Sequence, residues 1–163
     1  GGKIVFYTGI MPIANTEARV AAVMGHEVAH ALANHGQQRM SAGQLQAVGA
    51  VAGNIAFAKD PETQNIFNMA YGIGSNVGIM LPFSRAHETE ADRIGLTLMA
   101  IAGYEPTEAA ELWRRMQANA GGGAPPEFLS THPSSETRIN NILSWTAEAK
   151  AEAKKFGVTG FKK

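Results

Sequence analysis

The chemistry of this chain begins at His26, Glu27, Val28, Ala29 and His30. On a helix, at about 100° per residue, the two histidines fall about 40° apart and one turn above the other, so both imidazoles can reach one metal ion. Glu27 lies about 100° round from His26. That is close enough to take a proton from an attacking water without being a ligand, which is the general-base position of a zinc peptidase. The spacing supplies two metal ligands and a base.

A catalytic zinc takes three protein ligands, so a third must come from another element. The sequence contains no cysteine, which restricts the choice to imidazole and carboxylate. A histidine six residues after His30 would mark the metzincin arrangement; Gly36 stands there and excludes it. His35 points about 140° away from His30 and reads as a surface or second-layer histidine. A better candidate lies in Ser84-Arg85-Ala86-His87-Glu88-Thr89-Glu90-Ala91-Asp92. Glu88 and Asp92 share a face at i, i+4, so Glu88 can ligate while Asp92 accepts the spare N–H of a ligand histidine. The competing reading of these acids is a solvated helix face, and for Glu90, which points elsewhere, it is preferred. His132 reads as a loop residue able to swing towards a site or to cap the last helix. Arg138 reads as a structural ion-pair partner or a site residue, the first preferred.

The elements that must position these groups are mainly helical. Residues 3–8 (KIVFYT) are β-branched and aromatic with Gly9 and Pro12 beyond, which predicts a strand. From Asn15 or Thr16 a long helix carries His26 and His30 and runs on to about Met40. A second helix is expected over 43–58 and a third from Glu62, weakening through its glycines towards Leu81. Pro82 and Ser84 open a fourth, closed by Gly103. Pro106 starts a fifth, which ends in a flexible connector over 121–126. The last helix starts at Ser134 or Ser135, and from Glu148 the tail is expected to project into solvent. The apolar stretches 47–58 and 66–83 are interrupted by Asn54, Asn68, Ser75 and Asn76. Neither offers the ~20 clean apolar residues of a spanning helix, so they read as a buried or interfacial hairpin.

With 163 residues the chain suits one domain, residues 1–163. Fourteen Lys and Arg against fourteen Asp and Glu give no net charge, which removes the electrostatic footprint of a nucleic-acid binder. No charged and apolar leader precedes Gly1-Gly2-Lys3, so a processed or trimmed product is expected.

HEVAH on one helix, SRAHETEAD opening another and THPSSETRI near the C-terminus resemble the zinc metallopeptidase family that includes the HtpX-type heat-shock proteases and the CAAX prenyl proteases. The resemblance is strongest to its soluble bacterial branch of LoiP- and BepA-like peptidases. It implies a helical zincin-like fold with a small sheet, of which 3–8 is one edge strand, and an N-terminal part lying before that strand. It also implies one zinc per chain held by His26, His30 and Glu88, with Glu27 as catalytic base, Asp92 supporting a ligand, and His132 able to approach the metal, either filling its open position or donating to the tetrahedral intermediate, the second, catalytic role being slightly preferred.

The expected function is zinc-dependent endopeptidase action on unfolded or membrane-associated polypeptides. The substrate would add to the edge strand through Val5, Phe6 and Tyr7 by backbone pairing. The resemblance implies protein quality control in a bacterial cell envelope, periplasmic, with peripheral association to the outer membrane. The competing expectation is a latent or non-catalytic metal-binding module that docks a partner or membrane through 47–83. Glu27 discriminates, because a structural metal site needs no base beside its ligands.

Overall fold

The computed structural model describes residues 4–120, 132 and 135–163, and over these the chain is mainly helical. The helices are α1 (Glu17–Leu32), α2 (His35–Ala56), α3 (Pro61–Ser75), α4 (Leu81–Ile101), α5 (Thr107–Ala120) and α6 (Glu136–Lys155). They form two compact units, one of Gly1–Ala33 with Glu88–Lys163 and one of Asn34–His87.

In the first unit α5 packs against both α1 and α6. Its core gathers Ala18, Ala22 and Val23 of α1, Leu96 and Met99 of α4, Leu112, Trp113 and Met116 of α5, and Ile139 and Ile142 of α6. Local chemistry starts the helices that matter for the site. Thr16 caps α1, its hydroxyl accepting from the Arg19 amide at 3.3 Å, and Glu17 complements the positive helix end. Ser135 caps α6 by accepting from the Arg138 amide at 3.2 Å. Such a cap is worth about 1 kcal/mol, and this one fixes the turn that carries Arg138.

α1 and α4 approach unusually closely. Gly25 and Gly95 face each other, and a Cβ on Gly25 would stand 2.6 Å from the Gly95 carbonyl oxygen. Only two glycines let the backbones meet at this crossing.

Several expectations are corrected. Over residues 4–8 the strand expected at 3–8 does not form: residues 4–7 have no regular structure and Thr8–Ile10 is a short 3-10 turn. Tyr7 keeps extended dihedrals, φ −78° and ψ 127°. Extended backbone becomes a sheet only with a partner, and among the described residues there is no strand, only a single bridge between Tyr104 and Lys162. The long helix towards Met40 is two helices, broken at Asn34, which adopts the left-handed conformation at φ 56°. Asn tolerates that region and often ends a helix there. α2 accordingly starts at His35 rather than 43.

The tail is docked, not projecting. Ala149 and Ala153 of α6 are buried, Val158 and Phe161 pack on the core, and Lys162 exchanges backbone hydrogen bonds with Gly103 and Glu105 at 2.8 Å each. The expected connector over 121–126 and the start at Ser134 lie outside the described residues.

The second unit is a hairpin of α2 and α3. Asp60 caps α3 with Pro61 in the first turn, and Gly49 and Gly53 of α2 make room for the rings of Tyr71 and Phe67. Asn54 and Asn68 exchange side-chain hydrogen bonds at 2.9 and 3.0 Å. A wider π-turn over Asn76–Met80 precedes Pro82, whose missing N–H cannot continue an α ladder. No helix among the described residues is long and apolar enough to cross a membrane.

Candidate metal centre

α1 presents His26 and His30 on one face, α4 presents Glu88 opposite them, and His132 enters from the segment before α6. Each offers one ligand atom, and these four atoms all lie within 4.8 Å of one another. His26 Nε2 is 3.0 Å from His30 Nε2, 3.1 Å from His132 Nδ1 and 3.3 Å from Glu88 Oε2. Glu88 Oε1 is 3.2 Å from His30 Nε2, and Glu88 Oε2 is 2.9 Å from His132 Nδ1.

These separations identify what the residues can hold. Zinc–nitrogen bonds of about 2.0–2.1 Å in a tetrahedron put neighbouring donors about 3.3 Å apart. The spacings of 2.9–3.3 Å given above sit near that edge length. Three imidazoles and one carboxylate are also a borderline-soft donor set suited to zinc. The residues therefore fit the ion.

Asp92, one turn beyond Glu88, lies 3.0 Å from His26 Nδ1. A His26 Nδ1–H donated there leaves Nε2 as the lone-pair donor towards the cluster. Arg138 is the larger finding. Its Nε donates to Asp92 Oδ2 at 2.5 Å and its Nη2 to Asp92 Oδ1 at 2.7 Å, a two-pronged pair. The same Nη2 lies 3.1 Å from Glu88 Oε2 and 3.3 Å from His26 Nδ1. The guanidinium also stacks 3.6 Å above the indole of Trp113. The preferred sequence reading, a structural ion-pair partner, describes the contact with Asp92, while the contact with Glu88 matches the alternative, a site residue. No local spacing could have revealed it, because α6 brings Arg138 in from 46 positions beyond Asp92 and 112 beyond His26.

Protonation follows this crowding. Burial opposes ionisation of Glu88, yet hydrogen bonds from His132, His26 and His30 outweigh it and hold the carboxyl well below its ordinary range. Burial likewise opposes a charged His26, and the Asp92 and Glu88 carboxylates outweigh it, raising its pKa above the usual 6.5.

Glu27 stands beside the four donors and outside them. Its Oε1 is 3.4 Å from His132 Nε2 and, though buried, makes no hydrogen bond. A buried carboxylate oxygen without a donor is costly unless something else occupies its front.

His35 is not a surface residue. It is buried in the second unit, stacked on His87 with ring centres 4.1 Å apart, and His87 Nε2 meets Gln38 Oε1 at 3.0 Å. Glu90 is exposed, as expected. Val5 and Tyr7 are exposed and Phe6 packs partly on the core, and none of the three belongs to the donor cluster.

A model of peptidase family M48 matches residues 1–146. The chain is 40% identical over 153 residues to the mitochondrial metalloendopeptidase OMA1 of Schizosaccharomyces pombe, covering 93% of this chain and 43% of that protein. To its namesake in Saccharomyces cerevisiae it is 36% identical over 155 residues, 91% of this chain and 42% of the relative. To the beta-barrel assembly-enhancing protease of Escherichia coli it is 29% identical over 147 residues, 85% of this chain and 29% of the relative. The chain thus spans about two-fifths of the length of the yeast relatives. No solved structure matches it.

Proposed function

The chain belongs to peptidase family M48, and from that premise we propose that it is a zinc-dependent endopeptidase acting on unfolded or membrane-associated polypeptides. The observation that carries the proposal is the convergence of His26, His30, Glu88 and His132 within 4.8 Å, with the hydrogen-bond-free Oε1 of Glu27 beside them. His26, His30 and Glu88 would hold the metal. Zinc bound there supplies Lewis acidity to the scissile carbonyl and to the attacking water.

Glu27 takes the proton of that water and passes it to the leaving amine, a role open to a carboxylate beside the ligand set but not within it. Asp92, itself held by Arg138, accepts from His26 Nδ1–H and keeps that ring in one tautomer and orientation. His132 is the fourth donor of the resting arrangement. Its Nε2 faces Glu27 and its Nδ1 faces Glu88, so it stands between the base and the cluster. We read this as a latent state, from which His132 must withdraw for substrate to enter.

Substrate is proposed to pair with the backbone of Val5, Phe6 and Tyr7, a reading supported by the extended dihedrals of Tyr7. Recognition through main-chain hydrogen bonds suits unfolded chains of varied sequence.

One further observation favours docking at a membrane surface. In the second unit Val48, Val51 and Ile55 of α2 and Ile66, Met69 and Ile73 of α3 are exposed, and no Asp, Glu, Lys or Arg occurs over 40–58 or 63–84. We place the protein at the periplasmic face of a bacterial envelope membrane, which the likeness to the beta-barrel assembly-enhancing protease supports. The likeness to mitochondrial OMA1 proteins supports a mitochondrial setting instead, and fractionation of the native cell decides between them.

The enzyme reading is tested by zinc analysis of the purified protein together with casein cleavage, with and without a chelator. Chelator-sensitive cleavage that Glu27→Gln abolishes is expected. Zinc-loaded protein whose cleavage is indifferent to both would overturn it in favour of a binding module.

A further inference from the structure

Arg138 presents a physical problem. Its guanidinium is permanently charged, is buried, and stands 3.1 Å from Glu88 Oε2, an oxygen the metal also needs. A cation so placed can compete with zinc for Glu88. Asp92 holds it through two hydrogen bonds, but these fix only the Nε–Nη2 edge of the planar group. Rotation about that Nε–Nη2 edge leaves both nitrogens in place but still tilts the guanidinium plane, and with it the direction in which the outer Nη2–H is offered to Glu88.

The face is fixed by Trp113. This residue of α5 is 3% exposed, lies 3.6 Å beneath the Arg138 guanidinium carbon, and meets the His26 ring edge-on with centres 6.1 Å apart. Stacking on an indole restrains a guanidinium in the one direction that hydrogen bonds in its own plane leave free. The same ring bounds His26 from behind. Trp113 is not among the four metal donors, yet it packs on both Arg138, which meets Glu88, and the ring of His26.

We propose that Trp113 is a positioning residue of the metal centre, an aromatic platform that fixes the plane in which Arg138 bridges Asp92 and Glu88 and so sets how Glu88 is offered to the metal. The proposal rests on the metal-centre reading above. Its measurement is separate from cleavage: zinc affinity, read by competition with a chelating indicator, and the melting midpoint of the metal-free protein.

Trp113→Met, which keeps apolar bulk and removes the π face, should weaken zinc binding by about 10–100-fold, the range for lost support of a ligand. Trp113→Phe, which keeps a face, should stay within about threefold. The decisive comparison repeats Trp113→Met in an Arg138→Lys background. There the planar stack is already gone, and the zinc affinity should change less than about threefold. A structural role alone would lower affinity and melting midpoint together and equally in both backgrounds, which would overturn the proposal. So would parental zinc affinity in Trp113→Met. If Trp113→Met fails to fold, Trp113→Phe decides alone, and a loss beyond tenfold there overturns it. Failure of the parent to cleave casein would count against the peptidase reading and leave this comparison intact.

Discussion

Gly95→Ala puts the geometry of the α1–α4 crossing to a direct test. A Cβ at position 95 would stand 2.7 Å from the His26 backbone nitrogen, 2.8 Å from the Gly25 carbonyl carbon and 3.0 Å from its oxygen. Non-bonded heavy atoms rest at about 3.5–4.0 Å. The backbones must part locally by roughly 0.7–1 Å to admit the methyl group. The three nearest atoms all belong to a helix backbone, so none of them can turn aside as a side chain would. Glu88 lies about two turns from Gly95 on α4, and its partner His26 sits at the contact itself. A metal site tolerates errors of about 0.2 Å in its ligand distances.

Zinc affinity should therefore fall by about tenfold or more, and the metal-free protein should lose about 1–3 kcal/mol to overpacking, against a helix-propensity gain of at most about 1 kcal/mol. The assays are chelator competition for zinc and thermal unfolding of the metal-free protein. Gly74→Ala is the control, since a Cβ there meets nothing within 4 Å, and it should keep or raise the melting midpoint. Parental zinc affinity with a raised midpoint in Gly95→Ala would refute the reasoning.

Glu27→Gln should retain one zinc per chain and lower casein or peptide hydrolysis by at least ~10², the lower end for loss of a general base. His132→Ala should raise cleavage while zinc stoichiometry holds, because the donor 2.9 Å from Glu88 is removed from the resting cluster; a fall of roughly 10²–10³ would instead assign His132 to the transition state. The metal-free protein should be most stable between pH 4.5 and 6.5, the ordinary values for Glu and His. The lowered Glu88 contributes above the first and is lost on acidification, whereas the raised His26 contributes below the second and is lost as pH climbs through its folded value. Unfolding midpoints measured across that range check this, and a gain of stability past pH 6.5 would contradict it.

Much of the donor cluster could be read from spacing, because His26 with His30 and Glu88 with Asp92 are each one helical turn apart and helical phase is a local property. What spacing cannot encode is arrival from elsewhere in the chain. Arg138 and Trp113 belong to α6 and α5, whose sequences show only amphipathic helices, and their meeting at His26 is a product of packing. The break at Asn34 was present as a residue type, but one Asn in a strong helical pattern does not announce a positive φ. The β-branched and aromatic composition of 3–8 describes a surface suited to a sheet and supplies no partner. The docked tail hides in an Ala-, Glu- and Lys-rich stretch whose buried positions, Ala149 and Ala153, are small enough to pass for helix filler.

The Arg138 pair also decides the electrical character of the centre. Glu27, Glu88 and Asp92 set three negative charges against one guanidinium, a formal deficit of two that a divalent ion cancels and a monovalent ion leaves half unmet in a largely buried space. Valence is thus selected alongside donor type. Without the ion, a proton on His26 is the charge nearest to hand, in keeping with its raised pKa. Loading the centre then becomes an exchange of protons for metal, and adding zinc to a weakly buffered solution of the metal-free protein should acidify it.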